Sequence, residues 1–260
     1  MVTALVLSGG SGTRMGMDIP KQYIKVNGRT VISYCLERFF AHIMVDAVQI
    51  VADEVWREMI LETVKHLCQT VDKGALDGNM SESDTAYRES VGKFRGFSAP
   101  GRTRQHSILN GLNDIRKYAG DSDYVLVHDA ARPFVSFSLI AECIEAVKGH
   151  DGVLPALPMK DTVYISGDDM RISSLLDRSR IFAGQAPELF VLGKYYEANR
   201  ALLPDSIFKI NGSTEPAVMA GMDIAMIPGD EGNFKITTRA DLVRFQEVVW
   251  HESMGAARDK

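Results

Sequence analysis

Cysteine is scarce in this chain: three in 260 residues, Cys35, Cys68 and Cys143. Their odd number and wide separation exclude a disulfide framework, and the lack of a C-x-x-C step excludes the usual zinc spacing. They read as partly buried thiols of a reducing compartment. Long apolar runs are missing too. Nothing approaches the ~18–20 residues needed to cross a bilayer, so no membrane association is expected. The first residues, Met1 to Ser8, lack a basic start and run directly into glycines, which does not resemble a secretory leader. These absences together point to a cytoplasmic location. There is no basic excess, the formal net charge being −5, so nucleic acid is not an expected partner. No internal repeat or low-complexity tract is visible.

Two familiar phosphate loops are also absent. No glycine precedes Lys-Ser or Lys-Thr, which excludes the P-loop. Gly10-Ser11-Gly12 opens the dinucleotide pattern G-x-G-x-x-G, but Met15 stands where its third glycine belongs and Gly16 comes one residue late. A nicotinamide-binding dehydrogenase therefore fits poorly.

What is present is an ordinary folding composition, 45% hydrophobic and 24% charged, long enough to bury a core without disulfides or a structural metal. One domain over residues 1–260 accounts for it. Strand patterns at Thr3–Ser8, Ala47–Ala52, Asp123–His128 and Gly152–Leu157 alternate with helical spacing at Thr30–Phe40, Val55–Leu67, Ser107–Tyr118 and Ser138–Lys148. That alternation predicts an α/β, Rossmann-like fold, a mostly parallel sheet with helices on both faces. Residues 73–98 lose periodicity and read as an irregular insertion. Residues 160–184 carry two β-like stretches around Gly167-Asp168-Asp169, the pattern of a hairpin arm. A strand at Asp223–Ile227 follows helical Tyr195–Leu203, and helical Ala240–Val249 closes the chain.

In a parallel sheet, ligands bind beyond the carboxyl ends of the strands. The two best strands end at Ser8-Gly9-Gly10 and at His128-Asp129, so these ends are expected to share one cleft. After the first strand comes Gly9-Gly10-Ser11-Gly12-Thr13-Arg14, then Pro20-Lys21-Gln22. Glycines let backbone N–H groups approach a phosphate, and Arg14 and Lys21 add positive charge, as a triphosphate requires. Asp129 at the end of a buried strand suits Mg²⁺; capping the next helix or pairing with Arg132 is its structural alternative. His128 reads as a packed core residue.

The blocks LSGGSGTRMG…PKQY, GRTRQHSILNGL, VLVHDAARPF and NFKITTRADL occur in order. Together they resemble the 2-C-methyl-D-erythritol 4-phosphate cytidylyltransferase family, with ribitol-5-phosphate cytidylyltransferase as a sister group. The resemblance implies a sheet of about seven strands and a dimerising arm. It implies transfer of a cytidylyl group from CTP to a polyol phosphate, with Mg²⁺ as cofactor, in isoprenoid precursor synthesis. Catalytic charge would come from Arg14, Lys21, Arg178 and Lys235. Ser8, Gly9, Gly101, Arg102 and Ser107 fall where the family holds cytosine and ribose; Gly10, Gly12 and Ala130 join them as CTP contacts. Thr162, Arg178, Thr214 and Lys235 fall where the acceptor phosphate is held, and Asp129 where the metal is. Arg180 lies two residues beyond Arg178 and offers the same side chain. The arm would serve the neighbouring subunit's site, implying a homodimer.

Two segments depart from the methylerythritol pattern or return to it. Gly184-Gln185, within Ala183–Glu188, is closer to the ribitol enzymes, whereas Lys160-Asp161-Thr162 and Ser213-Thr214-Glu215 lean the other way. Arg14, Lys21, Asp129 and Lys235 are all present, which argues against a nucleotide-binding paralogue without activity.

Overall fold

The computed structural model describes residues 1–10, 19–73, 92–167 and 170–258. Strands β1 (Val2–Leu7), β4 (Ala47–Val51), β5 (Phe94–Ser98), β6 (Tyr124–Asp129), β7 (Gly152–Pro158) and β12 (Ile224–Pro228) run in one direction. β10 (Phe182–Gly184) and β11 (Glu188–Val191) run the other way, pairing in succession along the same side of β7. Eight strands therefore fill seven positions, with β12 on the far side of β7 and β5 at the opposite edge. β2 (Lys25–Val26) and β3 (Arg29–Thr30) form a small separate ribbon.

Side-chain alternation explains the two layers. In β1, Ala4 and Val6 point into one apolar cluster and Leu5 into another, because successive strand residues face opposite sides. The first cluster is covered by α1 (Val31–Ala41), α2 (Glu54–Lys73) and α4 (Phe137–Ala146). The second is covered by α3 (Arg104–Ile115), α5 (Leu192–Arg200) and α6 (Glu215–Met219). The closing helix α7 (Arg239–Arg258) packs Phe245 and Val249 against Val26 and Val31. None of the described helices is long and apolar enough to cross a membrane.

Two differences from the sequence reading have plain causes. α2 continues to Lys73, and 94–98 is not irregular but the edge strand β5. Its sequence FRGFS hides the strand because an edge strand tolerates Arg95 and Gly96 outside the core; residues 74–91 lie outside the described ones. β10 and β11 were not legible either: three- and four-residue strands are too short for a period, and no hairpin turn signal stands between them as Gly167-Asp168-Asp169 stands between the equally short strands of the arm. The arm is a hairpin of β8 (Tyr164–Ser166) and β9 (Ile172–Leu175). It is apolar yet exposed, Ile172 at 69% and Leu175 at 62%.

Candidate active site

The carboxyl ends of four strands finish in step. Leu7 lies opposite both Val51 and Asp129, and Val51 opposite Ser98. Past these ends the chain stays tied: Ser8 N donates to Val51 O (2.8 Å), Ala52 N to Ser98 O (3.1 Å) and Ala130 N to Leu7 O (3.0 Å). The segments following β1, β5 and β6 consequently open on one edge of the sheet.

Asp129 is the electrostatic centre of that edge. Only 8% of it is exposed. Arg104 places Nε 3.0 Å and Nη2 2.9 Å from Oδ1. Lys235 Nζ lies 2.8 Å from Oδ2, and Arg132 Nε lies 3.9 Å from the same oxygen. Burial alone would raise the Asp129 carboxyl, but Arg104 and Lys235 prevail and hold it well below the usual carboxylate range. It is ionised at any physiological pH. The pairing with Arg132 foreseen as an alternative is thus present alongside two stronger partners.

Lys235 reaches this point because its segment is tied on both sides. Arg132 Nη1 donates to Asn233 O (2.6 Å) and Asn233 Nδ2 to Ala186 O (2.7 Å). Ile236 N donates to Ala131 O (2.8 Å). Beyond it, Asp241 accepts from Thr237 N and Thr238 N and from both threonine hydroxyls, while Asp241 N returns a bond to Thr238 Oγ1. This reciprocal cap starts α7 and fixes the chain's entry angle.

His128 is fully buried, with Nε2 donating to Arg132 O (2.9 Å) and its ring edge-on to Phe39. Burial pushes it down to about 4. It is a neutral packing residue that steadies the Asp129–Arg132 turn.

Just past β1, Ser8 is buried while Gly9 and Gly10 are exposed. Gly101 N donates to Ser107 Oγ (2.9 Å), and Ser107 Oγ donates to Thr103 O (2.9 Å). A Cβ on Gly101 would stand 2.6 Å from the His106 backbone, so only glycine lets this turn fold back on the start of α3. Thr103 caps that helix by accepting from His106 N, which orients Arg104 toward Asp129. Arg102 lies over the Phe208 ring, 4.9 Å from its centre. The Ala130 N–H is already engaged by Leu7.

Thr214 donates to Glu188 Oε2 (3.0 Å). Burial raises the Glu188 carboxyl against the pull of Arg104. Gln105, beside Arg104, donates to Asn199 and to Tyr195 Oη (3.3 Å), and Tyr195 Oη donates to Ser213 O (2.7 Å). The start of α3 and the Ser213–Thr214 turn are therefore one hydrogen-bonded unit.

Thr162 and Arg178 are exposed beside the arm, with Arg178 Nη1 donating to Lys160 O (2.9 Å). Among the described residues no hydrogen bond or ion pair joins either to the Asp129 cluster. Lys21, partly buried, sits on a 3₁₀ turn, Lys21–Tyr23. Gly12 and Arg14 lie outside the described residues.

Sequence reasoning passed over Arg104 and Glu188, which the structure places in and beside the Asp129 cluster. Arg104 stood inside the block GRTRQHS with a signal no stronger than its neighbour Arg102. Glu188 carried a better one, an acid opening the apolar run ELFV.

A divalent cation can be tested against this donor set. Among the described residues, no three His, Cys, Asp or Glu side chains come together to cage one. Asp129 offers one carboxylate with about four lone-pair sites, not all used by Arg104 and Lys235. A single carboxylate, completed by phosphate oxygens and water, is how Mg²⁺ commonly enters a nucleotide site. The residues fit a cation arriving with a triphosphate.

A family model described as "IspD: 2-C-methyl-D-erythritol 4-phosphate cytidylyltransferase" matches residues 2–250. A Clostridium beijerinckii protein of that name is 31% identical over 247 residues, 94% of this chain and 96% of the relative. A Granulibacter bethesdensis "Bifunctional enzyme IspD/IspF" is 32% identical over 250 residues, covering 94% of this chain. The chain spans only 55% of that bifunctional relative. The crystal structure of 4-diphosphocytidyl-2C-methyl-D-erythritol synthase from Anaerococcus prevotii superposes with a TM-score of 0.71 at 23% identity, over 96% of this chain and 98% of that one. At that identity it speaks to the fold.

Proposed function

The chain belongs to the IspD: 2-C-methyl-D-erythritol 4-phosphate cytidylyltransferase family, and on that premise we propose that it transfers a cytidylyl group from CTP to 2-C-methyl-D-erythritol 4-phosphate. The observation that carries this reading is the cationic edge: Arg104, Arg132 and Lys235 converge on Asp129 beside the loop that follows Leu7.

The chemistry needs little from a base. The acceptor phosphate is already an anion at neutral pH. One of its oxygens attacks the α-phosphorus of CTP in line, a P–O bond forms, and the bond between the α-phosphorus and its bridging oxygen breaks. The electron pair leaves on pyrophosphate. The barrier is repulsion between two anions, so catalysis is alignment plus fixed positive charge.

Lys21 and Lys235 supply that charge at the α-phosphate, with Arg14 in the same role. Ser8, Gly9, Gly10, Gly12, Gly101, Arg102, Ser107 and Ala130 hold the nucleotide. Thr214 and Lys235 hold the acceptor phosphate. Thr162 and Arg178 complete the site of a second subunit, because they stand beside an exposed apolar arm that a homodimer would cover. Asp129 would hold Mg²⁺, which supplies charge neutralisation of the triphosphate when bound. A reducing cytoplasm suits the buried free thiols Cys35 and Cys143.

The test is a panel. Purified protein with CTP and Mg²⁺ is offered 2-C-methyl-D-erythritol 4-phosphate, ribitol 5-phosphate and erythritol 4-phosphate while pyrophosphate release is followed. The first acceptor should turn over at least tenfold faster in kcat/KM than the others. No release with any acceptor would remove the enzymatic reading, and preference for ribitol 5-phosphate would replace the acceptor.

A further inference from the structure

Among the described residues, no backbone hydrogen bond joins Ser8–Gly10 to the turn that carries Lys21. The link is made by side chains. Gln22 is 3% exposed. Its Nε2 donates to Ser8 O at 2.8 Å and to Gly10 O at 2.7 Å, so one amide group uses both its protons on two carbonyls of the same loop. Tyr23 reinforces the first contact: its hydroxyl donates to Ser8 O (2.9 Å) and accepts from Ser8 Oγ (2.7 Å). The Tyr23 ring is stacked on Trp56, with centroids 4.4 Å apart, which anchors the turn to α2. The turn itself is closed by Tyr23 N donating to Pro20 O (2.9 Å) and Ile24 N to Lys21 O (3.3 Å). Lys21 cannot move far without moving Gln22, and Gln22 cannot move without releasing the loop.

This arrangement has a chemical consequence. Carbonyl oxygens facing a triphosphate repel it. In a trans peptide the C=O and the following N–H point in opposite directions, so a carbonyl drawn toward Gln22 turns its partner N–H away from Gln22. The Ser8 carbonyl therefore sets the direction of the Gly9 N–H. A Cβ at Gly9 would come 2.6 Å from Pro100 Cβ, so the segment is also held against Pro100, with no room for a side chain at position 9.

We propose that Gln22 is the positioning residue of the nucleotide site. By holding the Ser8 and Gly10 carbonyls back, it presents the Ser8–Gly10 segment to the CTP phosphates and sets the separation between that segment and Lys21. The proposal rests on the cytidylyltransferase reading and adds a residue to it. Gln22 touches no reacting atom; it acts through the loop and through Lys21.

The experiment compares wild type with Gln22→Met, which keeps the length and loses both donors, and Gln22→Asn, too short to reach both carbonyls. Circular dichroism establishes folding, calorimetry gives CTP affinity, and steady-state kinetics give kcat and each KM. Both variants should lose at least tenfold in kcat and at least fivefold in CTP affinity, with acceptor KM moving less than threefold. A general loss of packing would move acceptor KM as well, and that outcome overturns the proposal. So does a folded variant with kcat and CTP affinity within twofold of wild type. If Gln22→Met does not fold, Gln22→Asn carries the same comparison. A wild type that binds CTP but releases no pyrophosphate removes the parent reading alone, and CTP affinity then decides the proposal; a wild type that binds no CTP removes both.

Discussion

Lys235 Nζ lies 2.8 Å from Asp129 Oδ2, joining the segment that precedes the last helix to the end of a central strand. The contact matters because Asp129 is also held by Arg104 and approached by Arg132. One buried carboxylate keeps three cations in place on the edge where the proposed reaction would bring two anionic substrates together.

Asp129→Asn should therefore damage both stability and activity. The cations lose their counter-charge, which for a fully buried pair costs ~3–5 kcal/mol. Arg104 and Lys235 each keep 31% of their side-chain surface, so about 1–3 kcal/mol is expected here. Urea unfolding should show the midpoint falling with an unchanged slope, and pyrophosphate release should drop by at least ~100-fold. A variant as stable and as active as wild type would remove Asp129 from its central place.

Lys21→Ala separates charge from binding. If Lys21 acts on charge developing at the α-phosphate, its loss should lower kcat by roughly 100-fold or more. CTP affinity by calorimetry should change less than threefold. Gln22 variants should differ in the second readout, since there nucleotide affinity falls along with kcat.

Asp241 offers a pH-dependent test outside the site. Partial burial raises its carboxyl, but hydrogen bonds from Thr237 and Thr238 prevail and hold it down at about 2, against an ordinary 3.8. The folded state thus favours the ionised form. The stabilisation is complete above the unfolded value and is lost as pH falls toward 2. Asp241→Asn should cost about 1 kcal/mol at neutral pH. The gap in melting temperature between wild type and variant should close between pH 4 and pH 2. Because the cap also sets where Lys235 enters the cleft, the variant should lower kcat more than CTP affinity.

The arm tests the assembly. Paired replacement of Ile172 and Leu175 by Asp leaves the described contacts of the main sheet intact, since both residues are exposed in the single chain. Light scattering after gel filtration should show a dimer for wild type and a monomer for the variant. Acceptor KM should rise at least tenfold, because Thr162 and Arg178 would no longer reach a neighbouring site. A monomeric wild type would end the homodimer proposal.

Much of the architecture was legible because its signals are local. Apolar runs bounded by glycine or polar residues mark β1, β4, β6 and β7, and the spacing of Val31, Ile32, Cys35, Leu36 and Phe39 marks α1. β5 escaped because an edge strand buries too little to impose a pattern; β10 and β11 escaped because three and four residues are too few for a period to show, although β11 is buried between β6 and β7. That the segments after Leu7 and Asp129 leave the sheet at one edge was also legible, since parallel strands bring their carboxyl ends together.

From its order of residues alone, the chain specified a doubly covered parallel sheet, a glycine loop after the first strand, an acid after the central one and a hairpin arm. Periodicity and turn chemistry act over a few neighbours, so they survive without coordinates. Only the folded molecule decided that Arg104, Arg132 and Lys235 share one carboxylate, that Glu188 holds Thr214, and that Gln22 binds the Ser8 and Gly10 carbonyls. Those are contacts between side chains brought together by the packing of separate elements, and charge pairing across such distances leaves no mark on local spacing.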